Sequence, residues 1–227
     1  MLNKLKSIYY RCQWLKSISI FKYLYFNFLC KQVKRDKGIY VIPYKGAVIQ
    51  LDKNSTLILQ GKNLEIGINK IKGSKAETYV RLKQGAIWNC YNGGGLCYNS
   101  SIEVHENAEF DSGYFYMNTR STLIATRKIV LGDDVWMGRN IIIYDSDFHQ
   151  MLDKNGDIRN HSKEVFIGDH VWLTNQIMVQ KGVSIGKGTV VSPFTVVRKN
   201  IPENVLLTNG MEAVIAAENI KWSSERV

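Results

Sequence analysis

The chain has 227 residues, of which 45% are hydrophobic and 22% are charged, the composition of an ordinary globular protein with one solid domain and an appendage. Its net charge is +10, but residues 1–38 hold nine Lys and Arg against one acid (+8), whereas residues 39–227 hold 21 against 19 (+2). The basic character therefore belongs to the N-terminal arm, and the composition excludes a general nucleic-acid-binding function.

Thiol and targeting signals are weak. The four cysteines are Cys12, Cys30, Cys90 and Cys97. They form no CxxC pair and follow no secretory signal pattern, so we expect reduced thiols in a cytoplasmic protein. The most apolar stretch, Ile18 to Cys30, is interrupted by Lys22 and Asn27 and is too short and polar to predict a membrane span.

The first predicted element is a basic helical extension over residues 1–38. Apolar residues recur there at spacings of three and four, at Leu2, Leu5, Ile8, Cys12 and Leu15. The charged segment 31–37 would end the helix and Gly38 would stop it. Two interpretations stay open: a cap that covers the first coil of the following domain, or peripheral attachment to an anionic membrane face through Lys and aromatic side chains.

Strands and turns are predicted from Ile39 onward. Residues 47–49, 56–59 and 64–67 have the pattern of early, imperfect coils, and residues 79–82 and 86–88 that of strands. The run Gly93-Gly94-Gly95 is interpreted as a turn or bulge, because it lacks the strand-to-helix context of a phosphate-binding loop.

A six-residue repeat dominates the C-terminal half. Its first apolar series stands at Ile167, Leu173, Val179, Ile185, Val191 and Val197, and its second, four places later, at Val171, Ile177, Val183, Thr189 and Thr195. The same frame holds earlier at Leu131, Met137 and Ile143, with Val135 and Ile141 as partners. A period of six fits neither a helix nor an alternating strand, so it predicts short strands joined by tight turns: an all-β solenoid over residues 39–210.

The sequence also predicts where the repeat turns and where it is interrupted. Asp134, Asn140, Gly182 and Gly188 recur at the third place after the first-series residue, where a tight corner asks for positive φ. Residues 144–164 lack the periodicity and predict a polar loop extruded from the coils, the kind of segment that carries function on a rigid scaffold. Residues 211–227 would form a short C-terminal helix and tail.

The segments IVLGDDVWMGRNIIIYDSDFH and FIGDHVWLTNQIMVQKGVSIGKGTVVSPFTVVRKNIP resemble the hexapeptide-repeat acyltransferases, in particular bacterial polysaccharide and sugar O-acetyltransferases. The resemblance implies a left-handed parallel β-helix, a homotrimer and acetyl-CoA as co-substrate. No metal is expected, because the four histidines, at 105, 149, 161 and 170, are widely scattered in the sequence. It also implies a carbohydrate acceptor.

The resemblance assigns His149, in the extruded loop, as the general base. A sugar hydroxyl is a poor nucleophile until it loses its proton, and an imidazole titrating near neutral pH suits that task. Asp145 and Asp147 are the candidates to orient the imidazole, and the sequence does not choose between them. Structural roles are expected for His105 and His170.

Further residues match the family pattern as substrate contacts. Asn118, 13 residues before Leu131, matches an acceptor-contacting Asn. Trp172 matches a Trp that lines the active site, and His161 is a candidate contact at the far end of the loop. Arg198 and Lys199 suit the phosphates of CoA. Backbone amides near Thr174 and Ser192 are candidates for contacts with CoA or an oxyanion.

The leading hypothesis is therefore acetyl transfer from acetyl-CoA to a sugar hydroxyl of a bacterial surface polysaccharide or its precursor. The alternatives are N-acetylation of an amino sugar, nucleotide-linked or free, and a non-catalytic trimeric scaffold. We expect a cytoplasmic location, with the inner face of the membrane as the open alternative for the basic arm.

Overall fold

A computed structural model describes residues 17–209. Within that range the chain winds through three parallel β-sheets in rotation. Each strand pairs with the strand three places further along the sequence, except at the C-terminal end, where the last pair of the second sheet is two places apart. Every coil thus contributes one strand to each sheet, and the three sheets enclose a triangular prism. The predicted solenoid is confirmed.

We number the strands β1 to β22 in chain order. The first sheet holds β1 Val33–Arg35, β4 Thr56–Leu59, β7 Ile87–Cys90, β10 Glu109–Ser112, β13 Lys128–Leu131, β16 Val165–Ile167 and β19 Ser184–Ile185. The second holds β2 Val41–Pro43, β5 Leu64–Ile68, β8 Gly94–Cys97, β11 Phe115–Met117, β14 Val135–Met137, β17 Trp172–Leu173, β20 Val190–Val191 and β22 Leu206–Leu207. The third holds β3 Ala47–Leu51, β6 Thr78–Leu82, β9 Ser101–Val104, β12 Thr122–Ala125, β15 Ile142–Tyr144, β18 Met178–Val179 and β21 Val196–Val197.

The two apolar series of the repeat both point into the prism. All eleven residues of the series between Ile167 and Val197 are at most 3% exposed, including the two threonines. Phe166 pairs with Ser184, which lies 18 residues further along the chain in the next coil. Three six-residue units make one coil, so equivalent residues stack and the two inward positions of each unit build a continuous core.

The corners between the sheets need a positive φ, which L-residues rarely adopt. Asp134 and Asn140 have φ of 59° and 57°, and Gly182 and Gly188 have φ of 75° and 67°, as the turn pattern predicts. Gly138 is required for a different reason, since a Cβ there would lie 1.4 Å from the carbonyl oxygen of Thr174 in the next coil.

The Gly93–Gly95 run does more than turn the chain, because Gly94 opens strand β8. A Cβ on Gly94 would lie 2.6 Å from the ring of Phe115 in the coil above. Phe115 packs with Trp88 and Phe110 at the centre of the prism, at ring-centroid distances of 6.2 and 6.4 Å. The absence of a side chain at Gly94 therefore leaves the space that this aromatic cluster occupies.

The N-terminal end differs from the predicted helical extension. Strand β1 at Val33–Arg35 already pairs with β4, so the solenoid begins before the expected boundary at residue 38. A short helix α1, Ile20–Leu24, continues into a π-helical turn, Tyr25–Leu29. None of the helical segments within residues 17–209 is long and apolar enough to cross a bilayer. The predicted helix over residues 1–16 and the C-terminal helix over 211–227 lie outside the described residues.

Candidate functional site

The extruded loop, residues 145–164, leaves the prism between β15 and β16, at the edge where third-sheet strands turn into the first sheet (the 3–1 edge). His149 is exposed there. Its backbone N–H donates to the Asp147 carbonyl at 2.8 Å, and its own carbonyl accepts from Asn160 Nδ2 at 2.8 Å. Among the described residues no hydrogen bond engages its imidazole. The main chain is therefore held while the ring stays available.

Asn160 braces this loop from within, and Lys181 attaches it to the coil above. Asn160 Nδ2 donates to Asp147 Oδ2 at 3.0 Å and its Oδ1 accepts from the Met151 N–H at 2.7 Å. Lys181 Nζ donates to Asp147 Oδ2 at 2.6 Å and to the Asn160 carbonyl at 2.8 Å. The hydrogen bond from Lys181, followed by that from Asn160, lowers the pKa of the Asp147 carboxyl below its usual value.

Asp145 is fully buried and serves the backbone of the preceding coil. Its Oδ1 accepts from the N–H and the hydroxyl of Thr126, both at 2.8 Å. Its Oδ2 accepts from the N–H groups of Arg127 and Lys128 at 2.7 and 2.8 Å. The carboxylate thus satisfies three consecutive amides at the corner where the chain enters β13.

Neither predicted aspartate contacts the His149 ring within one chain. Both oxygens of Asp145 are taken by residues 126–128, and Asp147 bonds to Lys181 and Asn160 instead. The structure therefore places Asp145 as a support of the corner and Asp147 as a tether of the loop.

A second group of predicted residues lies along the edge where second-sheet strands turn into the third sheet (the 2–3 edge). Asn118, Thr174 and Ser192 follow β11, β17 and β20 in one column. The N–H groups of Thr174 and Ser192 donate to Val191 and Leu207 carbonyls, at 3.2 and 2.8 Å. These two amides are used by the coil ladder, so they are not the free donors that the sequence suggested.

Asn118 lines a polar cleft of about 520 Å³ at this edge. Its Oδ1 accepts from the Thr119 N–H at 2.8 Å, which leaves its Nδ2 donors without a partner in the described part of the chain. Arg120 and Arg139 line the same cleft. The arrangement offers amide and guanidinium donors to a hydroxyl-rich ligand.

Positive charge continues along the 2–3 edge beyond this cleft. An adjoining cavity of about 1050 Å³ shares Asn69, Ile71 and Tyr116 with it and is also lined by Lys45, Lys70 and Lys72. The acid in this cavity is Glu65, whose pKa burial raises. Since residues 39–227 as a whole carry only +2, the edge concentrates charge that the rest of the solenoid does not.

Trp172 stands on the outer face of the second sheet and is 52% exposed. It pairs directly above Trp136, whose ring in turn stacks on Tyr116 at 5.3 Å. Trp136 and Trp172 flank a hollow of about 410 Å³. His170 closes one side of the hollow and bonds through Nδ1 to Asp134 Oδ2 at 2.6 Å, which lowers the pKa of that carboxyl. The face presents an aromatic platform.

The remaining predicted residues are on the His149 side of the molecule. Arg198 and Lys199 are exposed at the 3–1 edge after β21, beside a cleft that they share with Phe194. His161 is exposed at the end of the extruded loop.

The two groups of residues are separated by the width of the third sheet. Asn118 precedes β12 and His149 follows β15, so the strands of that sheet lie between them. A four-residue strand spans about 13 Å. One chain therefore brings Asp147 and His149 together on one edge, and Asn118 and Thr174 together on the other, but does not join the edges.

Some features of the site have no clear sequence signal. Asn160 and Lys181 organise the loop, yet their partners lie 9 to 34 residues away in sequence. The pairing of Tyr116 with the tryptophan column appears only once the coils are stacked. Lys181 does precede Gly182 at a corner, which would have placed it at an edge but not under the loop.

The free thiols and the residue types that bind metals are the remaining chemically active groups. Cys30, Cys90 and Cys97 are buried free thiols, and burial raises the pKa of Cys90 to about 12, which leaves it unreactive as a nucleophile. No group of three His, Cys, Asp or Glu side chains within residues 17–209 is arranged to hold a metal ion.

Comparison with known proteins gives sugar-modifying relatives. No family model matches the chain. The chain is 30% identical over 111 residues to the galactoside O-acetyltransferase of Escherichia coli (strain K12), which covers 48% of this chain and 50% of that protein. It is 36% identical over 104 residues to the galactoside O-acetyltransferase of Lactococcus lactis subsp. lactis (strain IL1403), covering 44% and 48%. The chain spans about half the length of these relatives.

A solved structure resembles the fold over most of the chain. The polysialic acid O-acetyltransferase OatWY superposes with a TM-score of 0.56 at 23% identity, covering 86% of this chain and 92% of that one. The six-residue repeat, the three parallel sheets and this superposition together show that the chain has the fold of a left-handed parallel β-helix built from hexapeptide repeats.

Proposed function

We propose that this protein is an acetyl-CoA-dependent O-acetyltransferase that modifies a sugar hydroxyl of a bacterial surface polysaccharide or its precursor. The observation that carries the proposal is the free, exposed imidazole of His149 on a loop that Asn160 braces and Lys181 attaches to the scaffold. The named relatives that transfer acetyl groups to sugars support the same activity.

In the proposed reaction His149 acts as general base in a ternary complex. Its imidazole takes the proton of the sugar hydroxyl while the hydroxyl oxygen attacks the thioester carbon of acetyl-CoA. The tetrahedral intermediate collapses, the bond from carbon to sulfur breaks, and the imidazolium returns the proton to the departing thiolate. The thioester is already activated, so no covalent enzyme intermediate is needed, in keeping with the unreactive Cys90 thiol.

The acceptor would bind in the cleft beside Asn118, where free amide donors and two guanidinium groups face a polar space. Trp172 would provide an aromatic wall for the pantetheine arm or a sugar ring. Arg198 and Lys199 would contact CoA phosphates, as exposed cations at the edge that also bears His149.

A homotrimer is part of this proposal, because the site is incomplete in one chain. The 3–1 edge with His149 needs the 2–3 edge with Asn118, and a cyclic arrangement of identical prisms would bring one edge of each copy against the other edge of its neighbour. The groove between two copies would hold CoA. We place the reaction in the cytoplasm, where acetyl-CoA is available.

The direct test removes the base. His149→Ala should lower the rate of CoA release with a sugar acceptor by about 10²–10⁴-fold. Its melting temperature should stay unchanged, because the ring is exposed and has no hydrogen-bond partner within residues 17–209. Gln150→Ala, the adjacent exposed position, is the matched control and should keep the wild-type rate.

Wild-type rates in the His149→Ala variant would remove His149 as the general base, whereas a wild-type protein without acetyl transfer would leave the scaffold alternative. A panel of matched hydroxyl and amino sugars then separates the enzymatic alternatives. Acetylation confined to the amines would overturn the O-acetyl assignment.

A further inference from the structure

The helical segment at the N-terminal end of the prism, Ile20–Leu29, is firmly attached on its inner side. Phe26 is buried and joins the main hydrophobic core. The Asn27 side chain bonds to both backbone groups of Val41, at 2.7 and 2.9 Å, and so acts as a strand neighbour for β2. Lys22, the one cation of the segment, turns inward to the Ala47 carbonyl.

Its outer side is also apolar, which is unusual for a surface helix. The outward residues recur every four positions as Ile20, Phe21, Leu24, Tyr25, Phe28 and Leu29. Phe21 is 89% exposed and Leu29 is 71% exposed. A helix that is hydrophobic on all sides is normally buried, so this face requires a partner.

The exposed face is held in place and cannot easily fold back. Arg35 on β1 donates to the Asn27 carbonyl through Nε and Nη2, at 3.1 and 3.0 Å. Its guanidinium also lies over the rings of Phe28 and Tyr40, at 5.3 and 4.7 Å from their centroids. The contacts of Asn27 and Arg35 fix the end of the helical segment, so its outer side chains project from a rigid base.

The charges around the face select the partner. Lys31, Lys34 and Lys37 follow the segment and are exposed, with Asp36 as the single acid between them. Residues 1–16 add four Lys and Arg and no acid. A second copy of the chain would bring an equally basic arm against this one, whereas an anionic lipid surface complements both the charge and the apolar side chains.

We propose that the N-terminal end of the β-helix docks on an anionic lipid bilayer. The segment Ile20–Leu29 lies in the plane of the interface with its six outer side chains among the acyl-chain boundary. Lys31, Lys34 and Lys37 contact the lipid phosphates. This surface is independent of the acetyl-transfer site and does not rest on the proposed reaction.

The test is co-sedimentation of the full-length chain with vesicles of phosphatidylcholine alone or of phosphatidylcholine with phosphatidylglycerol. Wild type should bind the anionic vesicles and show little binding to the neutral ones. The triple variant Phe21→Ser, Leu24→Ser, Leu29→Ser should lower the partition coefficient at least tenfold. Lys31→Glu, Lys34→Glu, Lys37→Glu should lower binding to the anionic vesicles alone by a similar factor.

The matched control is Ile87→Ser, Phe166→Ser, which removes two exposed apolar side chains from the outer face of the first sheet and should bind as wild type does. Unchanged melting temperatures would show that all variants fold. The proposal fails if wild type does not sediment with anionic vesicles, or if the serine variant binds as wild type. It also fails if the only effect of the serine substitutions is a lower molar mass of the protein in solution. A second copy of the chain would then be the partner that covers the apolar face.

Discussion

At the scale of single residues, the two aspartates of the YDSDFH motif differ in burial and therefore in energetic role. Asp145 is 0% exposed and accepts four hydrogen bonds, three of them from consecutive backbone N–H groups of residues 126–128. Asp147 is exposed, and its main partner is Lys181. Removal of the Asp145 carboxylate leaves half-buried N–H donors without an acceptor. Removal of the Asp147 carboxylate leaves donors that water can reach.

Asp145→Ala should lower the free energy of unfolding by about 3 kcal/mol, because several amides lose a charged acceptor at once. Asp147→Ala should cost less than about 1 kcal/mol, as is usual for exposed ion pairs. Urea denaturation of both variants measures the difference. Equal losses in the two variants would contradict the assignment of Asp145 to the corner.

At the scale of elements, the extruded loop is ordered by a tether from the next coil. Lys181 is mostly buried and holds both Asp147 Oδ2 and the Asn160 carbonyl. The lowered pKa of Asp147 means that the folded state favours its carboxylate. This contribution is complete above the unfolded-state pKa of about 3.9 and is lost as the pH falls through the lowered folded-state value.

Lys181→Met should therefore loosen the loop at neutral pH. Amide hydrogen exchange over residues 147–160 should rise about fivefold, the equivalent of roughly 1 kcal/mol of local stability. After correction for intrinsic rates, the difference between wild type and variant should narrow once the pH falls below the lowered pKa of Asp147, while the Lys181 bond to the Asn160 carbonyl remains. Lys187→Met, which removes an exposed pair with Glu203, is the control and should leave the loop unchanged. Equal exchange at neutral pH would show that the tether does not order the loop.

The difference between repeat and loop also explains what the sequence could predict. The buried positions from Ile167 to Val197 follow one local rule, because each unit meets only its neighbours in the stack. The contacts of Asn160 and Lys181 obey no period and join residues that the coil brings together. Early strand β1 was missed since its charged sequence, Val33-Lys34-Arg35, places its outer side chains in solvent and resembles a helix end.

At the scale of the whole molecule, the prism carries its chemistry on two edges that do not meet. His149 is on the 3–1 edge and Asn118 on the 2–3 edge, with the third sheet between them. If neighbouring copies supply the two halves, a defect in either residue can be complemented by the other chain.

This arrangement can be tested with mixed oligomers. Asn118→Ala and His149→Ala should each be strongly impaired alone, the first through a lost acceptor contact and the second through a lost base. Co-expressed in equal amounts and purified through one tag that both chains carry, they should form trimers in which about one quarter of the randomly assembled sites are intact. If both residues came from the same chain, no site would be intact.

The control is the double variant Asn118→Ala, His149→Ala co-expressed with wild type. Sites shared between neighbours predict about one quarter of wild-type activity per site, whereas sites within one chain predict about one half. The two mixtures therefore give equal activities only if each site is built by two copies. Recovery near zero in the first mixture together with about half in the second would place Asn118 and His149 in the same site of one chain, against the separation of the two edges.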